Sequence, residues 1–208
     1  MVGKTRPTLP NEPQLIALAR RGDLDSFNVL IAFYQNAAYS LAYHIMNDSA
    51  SAADATQEAF INAFRRLNSF RGEHFRAWLM RIVANQCYDE LRRLKRQPTV
   101  SVSDLPDAEY DDGAALADTG DTPEEYAQRM ELAQAVQSCI GALPEDQRLV
   151  LVMSDIEGLE YAAIAETAQV ALGTVKSRLS RARAAVRDCL RGFRELLPSA
   201  YRLISDES

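Results

Sequence analysis

EYAAIAETAQVALGTVKSRLSRARAAV, residues 160–186, sets two apolar-patterned segments on either side of a short break. The spacing predicts a short helix over 160–167 and a longer basic helix over 172–194, the pattern of a helix-turn-helix. Leu172, Val175, Leu179, Ala182, Val186 and Leu190 fall on one side of the longer helix, which is expected to pack against Ile164 and the helix before it. Lys176, Ser177, Ser180, Arg181 and Ala184 occupy the other side. Small residues flanked by long basic ones suit a DNA major groove, which admits a helix and offers guanine edges to Lys and Arg. Gly173 and Thr174 start this helix, and its amide end can receive a phosphate. A helical hairpin with a solvated basic face has the same spacing. The pattern alone also does not separate a promoter reader from a repressor.

Working outward, ALPEDQRLVLVMSDIEG gives a turn and a helix, with Pro144 near its start and Gly158 just past its end. PEEYAQRMELAQAVQSCI predicts a helix over 123–140, with an acidic first turn behind the N-cap Thr122. Residues 98–124 are rich in Pro, Gly, Asp and Ser and offer little to bury against their own ordering entropy. Further back, helical periodicity covers 14–46 with a break at RGDLDSF, then 50–68 and 75–96. No segment alternates with period two. The expected fold is all-α: two small helical domains, 12–97 and 125–195, joined by an acidic flexible linker over 98–124.

The charge follows this division. The 208-residue chain has a net charge of −6, yet residues 98–125 hold nine acidic side chains and no Lys or Arg, leaving the remainder at +3. Residues 64–97 carry nine basic against three acidic side chains, and residues 172–194 seven against one. Two basic regions around an acidic spacer are compatible with a nucleic-acid partner where the total charge suggests otherwise. Cys87, Cys139 and Cys189 are too scattered for a disulfide framework or a zinc site and are expected as reduced, partly buried thiols. MVGKTRPTLPNEPQL has no apolar core of a signal peptide, and no run suffices for a membrane span, so a cytoplasmic protein without membrane insertion is expected. No HExxH, Walker A or glycine fingerprint is present. Asp54 with Glu58 is an exposed i, i+4 pair without further clustered ligands, so neither an enzyme nor a cofactor site is expected.

In the first basic region, Ala53, Phe60, Ala63, Phe64 and Leu67 form the expected buried stripe of the helix near 52–68. Asp54, Glu58, Ile61 and Arg65 lie roughly opposite, with Gln57 at the boundary; an Ile on a polar face marks either a docking surface or a stray apolar residue. In the next helix Phe75, Trp78, Leu79, Ile82 and Val83 form a core stripe, while Arg81, Asn85, Tyr88 and Arg92 share another face.

GALPEDQRLVLVMSDIEGLEYAAIAETAQVALGTVKSRLSRAR resembles region 4 of the group 4, or extracytoplasmic-function, sigma factors of bacterial RNA polymerase. DATQEAFINAFRRLNSFRGEHFRAWLMRIVANQCYDELRRLKR resembles region 2 of the same family. The resemblance implies a non-catalytic subunit that binds core polymerase, reads −35 and −10 promoter elements and helps initiate transcription. It implies −35 contacts from Thr174, Lys176, Ser177, Arg178, Ser180 and Arg181, with Arg178 and Arg183 nearer the phosphates or solvent. It implies contact with the clamp helices of the polymerase's largest subunit through Asp54, Gln57, Glu58 and Ile61, a second contact with the flap, and −10 contacts from Phe70, Arg71, His74, Arg81, Asn85, Tyr88 and Arg92. There a flipped base would offset the stacking lost on melting. Family members are commonly held inactive by an anti-sigma factor, which makes such a partner an expectation here. Gln169 stands where the family often has Gly and Ala171 where it often has Pro, and the loop over 69–75 is one residue shorter than the common form. The linker would cross the polymerase near the RNA exit path, where it could mimic nucleic acid or serve only as a tether. A stand-alone regulator using residues 125–195 and a protein-binding helical adaptor are the rival readings of the residues. Binding to mixed-sequence DNA at varied salt separates the adaptor, because phosphate-led binding weakens steeply as salt rises.

Overall fold

The computed structural model describes residues 9–71, 74–96 and 122–197, so the expected linker lies outside the described residues up to residue 121. The described residues form α-helices and no strands. The first half comprises α1 (Glu12–Ala19), α2 (Leu24–Met46), α3 (Ser49–Arg66) and α4 (Phe75–Arg96). The second comprises α5 (Pro123–Gly141), α6 (Glu145–Leu151), α7 (Tyr161–Ala168) and α8 (Leu172–Leu190), with a π-helical turn at Val152–Ile156 after α6 and a 3-10 segment at Arg191–Leu196 after α8.

Short polar side chains set where these helices begin. Asp23 accepts from the Ser26 amide at 3.3 Å and Asp48 from the Ser51 amide at 2.7 Å. Thr122 and Glu125 form a reciprocal capping box at α5. Asn47 ends α2 in a left-handed conformation, φ 57°, which turns the chain directly into α3.

The centre of the first half is an alanine seam. Ala52, Ala55, Ala59 and Ala63 are buried along one side of α3, and their small size lets α3 lie close to α2, whose Leu30, Leu41 and Ile45 are buried. The expected stripe lies beside this seam, and Phe64 packs against the core with its ring 4.9 Å from that of Phe27. Phe60, Ala63 and Leu67 are buried, whereas Ala53 and Phe64 are half-buried, because the seam turns toward the residues able to approach most closely. Around Phe75, the rings of Tyr34, Phe70 and Trp78 gather at 5.9, 5.5 and 5.5 Å between centroids. Trp78 is half-buried in this cluster, consistent with a packing role.

In the second half Val150, Val152, Met153, Ile164, Val175 and Leu179 are buried together. Leu172 departs from the expected stripe and is 43% exposed. A helical side chain leans over the turn preceding it, and the first residue of α8 has no such turn. Gln169 takes the left-handed conformation, φ 54°, that Gly adopts without steric penalty, and Ala171 sits at φ −63°, the value a proline ring imposes. The turn thus keeps the backbone geometry that the common Gly and Pro would favour.

The cysteine expectation is also corrected. Cys139 and Cys189 are disulfide-bonded, with Cα atoms 5.8 Å apart, tying α5 to α8 across 50 residues of sequence. That separation carries no local signal. Cys87 is free and buried.

Candidate nucleic-acid and partner interfaces

On α8 the apolar side is anchored by Val175, Leu179 and Ala182, which turns Lys176, Ser177, Ser180 and Arg181 outward; all four are exposed. Ser177 donates to the Thr174 carbonyl at 3.0 Å, and Arg181 Nε to the Ser177 carbonyl at 3.3 Å, so Arg181 lies along its own helix. Thr174 and Arg178 are half-buried, and Arg178 pairs with Asp146 of α6 at 2.9 Å. Arg183 donates to both Asp155 carboxylate oxygens at 2.8 and 2.7 Å. That bidentate bond raises the Arg183 pKa and commits the guanidinium to the protein. Tyr161 and Arg187 join Lys176, Ser180 and Arg183 around a shallow hollow of about 420 Å³. Tyr161 and Arg187 are missed by the sequence pattern because the hollow brings α7 against the far end of α8.

On α3, Asp54, Gln57 and Glu58 are exposed and Ile61 is 45% exposed, so the four residues do share one outward face. Gln86, Glu90 and Arg93 of α4 complete a hollow of about 350 Å³ beside them, another set absent from the sequence reading.

The α4 face is held differently. Arg71, His74 and Asn85 are exposed, and Phe70 is 7% exposed, packed on Phe75 and Trp78. Arg20 secures the loop before α4 by donating to the Leu67 and Phe70 carbonyls. The second half covers the middle of this face. Arg81 donates to the Thr167 carbonyl in the last turn of α7 and reaches the side chain of Gln169, the residue that ends that helix, at 3.4 Å. Tyr88 is 7% exposed, and its hydroxyl donates to the Glu145 carbonyl at 2.8 Å. Burial raises the Tyr88 pKa, which keeps this donor protonated. Arg92 pairs with Asp89 at 2.7 Å and lies 4.0 Å from Glu145. The seam is reinforced by Arg76 with the buried Glu157 at 2.7 Å and by Arg148 donating to the Ile45 carbonyl at 2.9 Å. In this arrangement Arg81 and Tyr88 serve the contact between the two halves.

His44 sits in the same seam, hydrogen-bonded to Gln137, whose amide also donates to the Tyr43 carbonyl at 3.3 Å. Burial lowers the His44 pKa from its ordinary 6.5, opposed by the Gln137 bond and by Glu157. Below pH 6.5 the unfolded chain therefore binds more protons than the folded one, and stability falls as pH falls. A His44→Gln variant is expected to show a flatter stability profile than the parent between about pH 7 and 5 in denaturant titrations. Superimposable profiles would remove His44 from the seam's pH dependence.

An apolar groove of about 630 Å³ runs between α5 and α8, lined by Val136, Ile140, Leu151, Ile156, Val186 and Leu190, with Arg187, Arg191 and Arg194 at its edge. It draws on residues from His44 to Leu197 and so has no local sequence signature. Among the described residues no group of His, Cys, Asp and Glu could hold a metal ion, and no helix is long and apolar enough to cross a membrane.

The described residues thus form two helical clusters, the second a helix-turn-helix with an outward basic row. The Sigma-70 region 2 model matches residues 30–97 and the Sigma-70 region 4 model residues 133–186. The chain is 37% identical over 180 residues to the RNA polymerase sigma-H factor of Pseudomonas aeruginosa, covering 86% of this chain and 93% of that one. It is 38% identical over 174 residues to the ECF RNA polymerase sigma-E factor of Escherichia coli, covering 83% and 90%. A solved structure of CnrH in complex with the cytosolic domain of CnrY aligns with a TM-score of 0.64 at 27% identity, over 88% of this chain and 99% of that one. The chain belongs to the extracytoplasmic-function group of the sigma-70 family. Its role is in transcription initiation, and sigma factors are not enzymes.

Proposed function

We propose that this chain binds core RNA polymerase in the cytoplasm and directs it to promoters that carry a particular −35 and −10 pair. The observation that carries this reading is the exposed row Lys176, Ser177, Ser180 and Arg181 on a helix whose opposite side is buried. This row, with Thr174 and Arg178 at its margin, reads the −35 element from the major groove. Asp54, Gln57, Glu58 and Ile61 contact the clamp helices of the largest subunit, the polar groups setting register around an apolar seam. The groove between α5 and α8 receives the flap. The −10 strand is met first by Arg71, His74 and Asn85, which are exposed. It is then met by Arg81, Tyr88 and Arg92 as the second half withdraws from α4, and by Phe70 on leaving its packing against Phe75 and Trp78. The domain limits are 12–97 and 125–195 with the linker between, and no cofactor takes part. An anti-sigma factor that covers these faces belongs to the same reading; the similar CnrH is seen in complex with a protein partner, the cytosolic domain of CnrY.

Affinity for core polymerase tests the clamp contact. Asp54→Ala combined with Gln57→Ala is expected to weaken binding by about tenfold or more, because truncating central interface residues costs upwards of ~1 kcal/mol each. Both side chains are exposed, so the fold should be unaffected. Unchanged affinity would move the clamp contact elsewhere.

A further inference from the structure

The Cys139–Cys189 bond lies behind the apolar groove. Cys139 adjoins Ile140 and is one turn from Val136, while Cys189 adjoins Leu190 and is one turn from Val186. The bond therefore joins the two walls of the groove. Past Ala182 no residue of α8 is fully buried, and Val186, Cys189 and Leu190 are half-buried. Such a segment opens at a lower free-energy cost than the core.

We propose that Cys139–Cys189 is a reversible redox clasp that holds the end of α8 on α5 and so sets the shape of the groove. The consequence for polymerase rests on the reading of the groove as the flap seat. In a reducing compartment a protein disulfide is ordinarily transient and redox-sensing, which fits a pair whose two cysteines adjoin residues that line the groove.

The exposure of the sulfur-bearing residues sets the order of reaction. Cys139 is 1% exposed, whereas Cys189 is half-buried and reachable from solvent. From the reduced state, the Cys189 thiolate attacks one sulfur of a small-molecule disulfide, forming a mixed disulfide and expelling one thiolate. The Cys139 thiolate then attacks Cys189 Sγ, closing the protein bond and expelling the second. Two electrons pass from the protein to the reagent, and the two cysteine protons end on the two thiols released. Cys87 stays outside this exchange, since burial pushes its thiol up to about 12 and seals it from reagents.

The test uses the full chain equilibrated in mixtures of oxidised and reduced glutathione, then denatured and alkylated. One reactive thiol is expected in the oxidised protein and three in the reduced one. The oxidised form should melt at least about 5 °C higher, show slower amide exchange over 183–190, and bind core polymerase about fivefold more tightly through a preformed groove. Cys139→Ser with Cys189→Ser should match the reduced protein in both redox states, and Cys87→Ser should retain the full response. Three reactive thiols under every oxidising mixture would overturn the clasp, as would identical melting and exchange in the two states. Equal polymerase affinity of two forms that differ in melting would overturn the regulatory claim. Binding of polymerase by neither form would count against the function reading, while thiol count, melting and exchange still decide the clasp.

Discussion

Phe75→Ala is expected to destabilise the protein by about 3–5 kcal/mol, the range for removing a buried aromatic ring. Phe75 is 2% exposed and touches the rings of Tyr34, Phe70 and Trp78, so its loss opens a cavity where α2, α4 and the preceding loop meet. Thermal unfolding should begin roughly 10 °C or more below the parent. Phe75→Leu retains most of the volume and is expected to cost about 1.5 kcal/mol or less. The alanine variant should also loosen the loop that carries Phe70 and Arg71, since Phe70 loses its edge-on partner. A shift below about 2 °C for Phe75→Ala would show that the cluster repacks without loss.

Replacing Lys176 and Arg181 together by alanine is expected to weaken binding to a matched −35 duplex roughly a hundredfold, since a base-edge contact contributes ~1–3 kcal/mol. Both side chains are exposed, and Arg181 gives up only contacts to Ser177 on its own helix when it turns to DNA. Sequence discrimination should fall along with affinity. Arg183→Ala offers the contrast, because Arg183 is already held by Asp155 and Tyr161. It is expected to lower affinity across all sequences without changing preference. Titrations of matched and scrambled duplexes at two salt concentrations distinguish these outcomes. A double variant that discriminates as well as the parent would exclude this face as the reader.

The helices of both halves are legible because each rests on local signals. Apolar spacing marked α4, Thr122 with Glu125 marked the start of α5, and Gly158 marked the end of the segment after α6. Exposure of Asp54, Gln57, Glu58, Lys176 and Arg181 also follows from helical phase once the buried side is identified. The alanine seam of α3 was obscured because Phe60 and Phe64 dominate any apolar pattern, whereas close helix approach selects small residues. Helical phase alone places Leu172 on the core side, although a first-turn residue has no preceding turn to cover. Features that depend on distant residues had no sequence signal. The Cys139–Cys189 pairing, the Arg81 bond to the Thr167 carbonyl and the groove between α5 and α8 exist only after the two halves and their helices are placed.

Transcription from fragmented genomic DNA of the source organism, with purified core polymerase in the presence and absence of this protein, addresses the central claim most directly. Mapped 5′ ends should reveal discrete starts that depend on the protein and share elements at −35 and −10, and these starts should be lost with Asp54→Ala and Gln57→Ala. An absence of specific starts with matched polymerase and intact protein, while the protein alone footprints duplex DNA, would contradict the account and make the chain a conventional regulator.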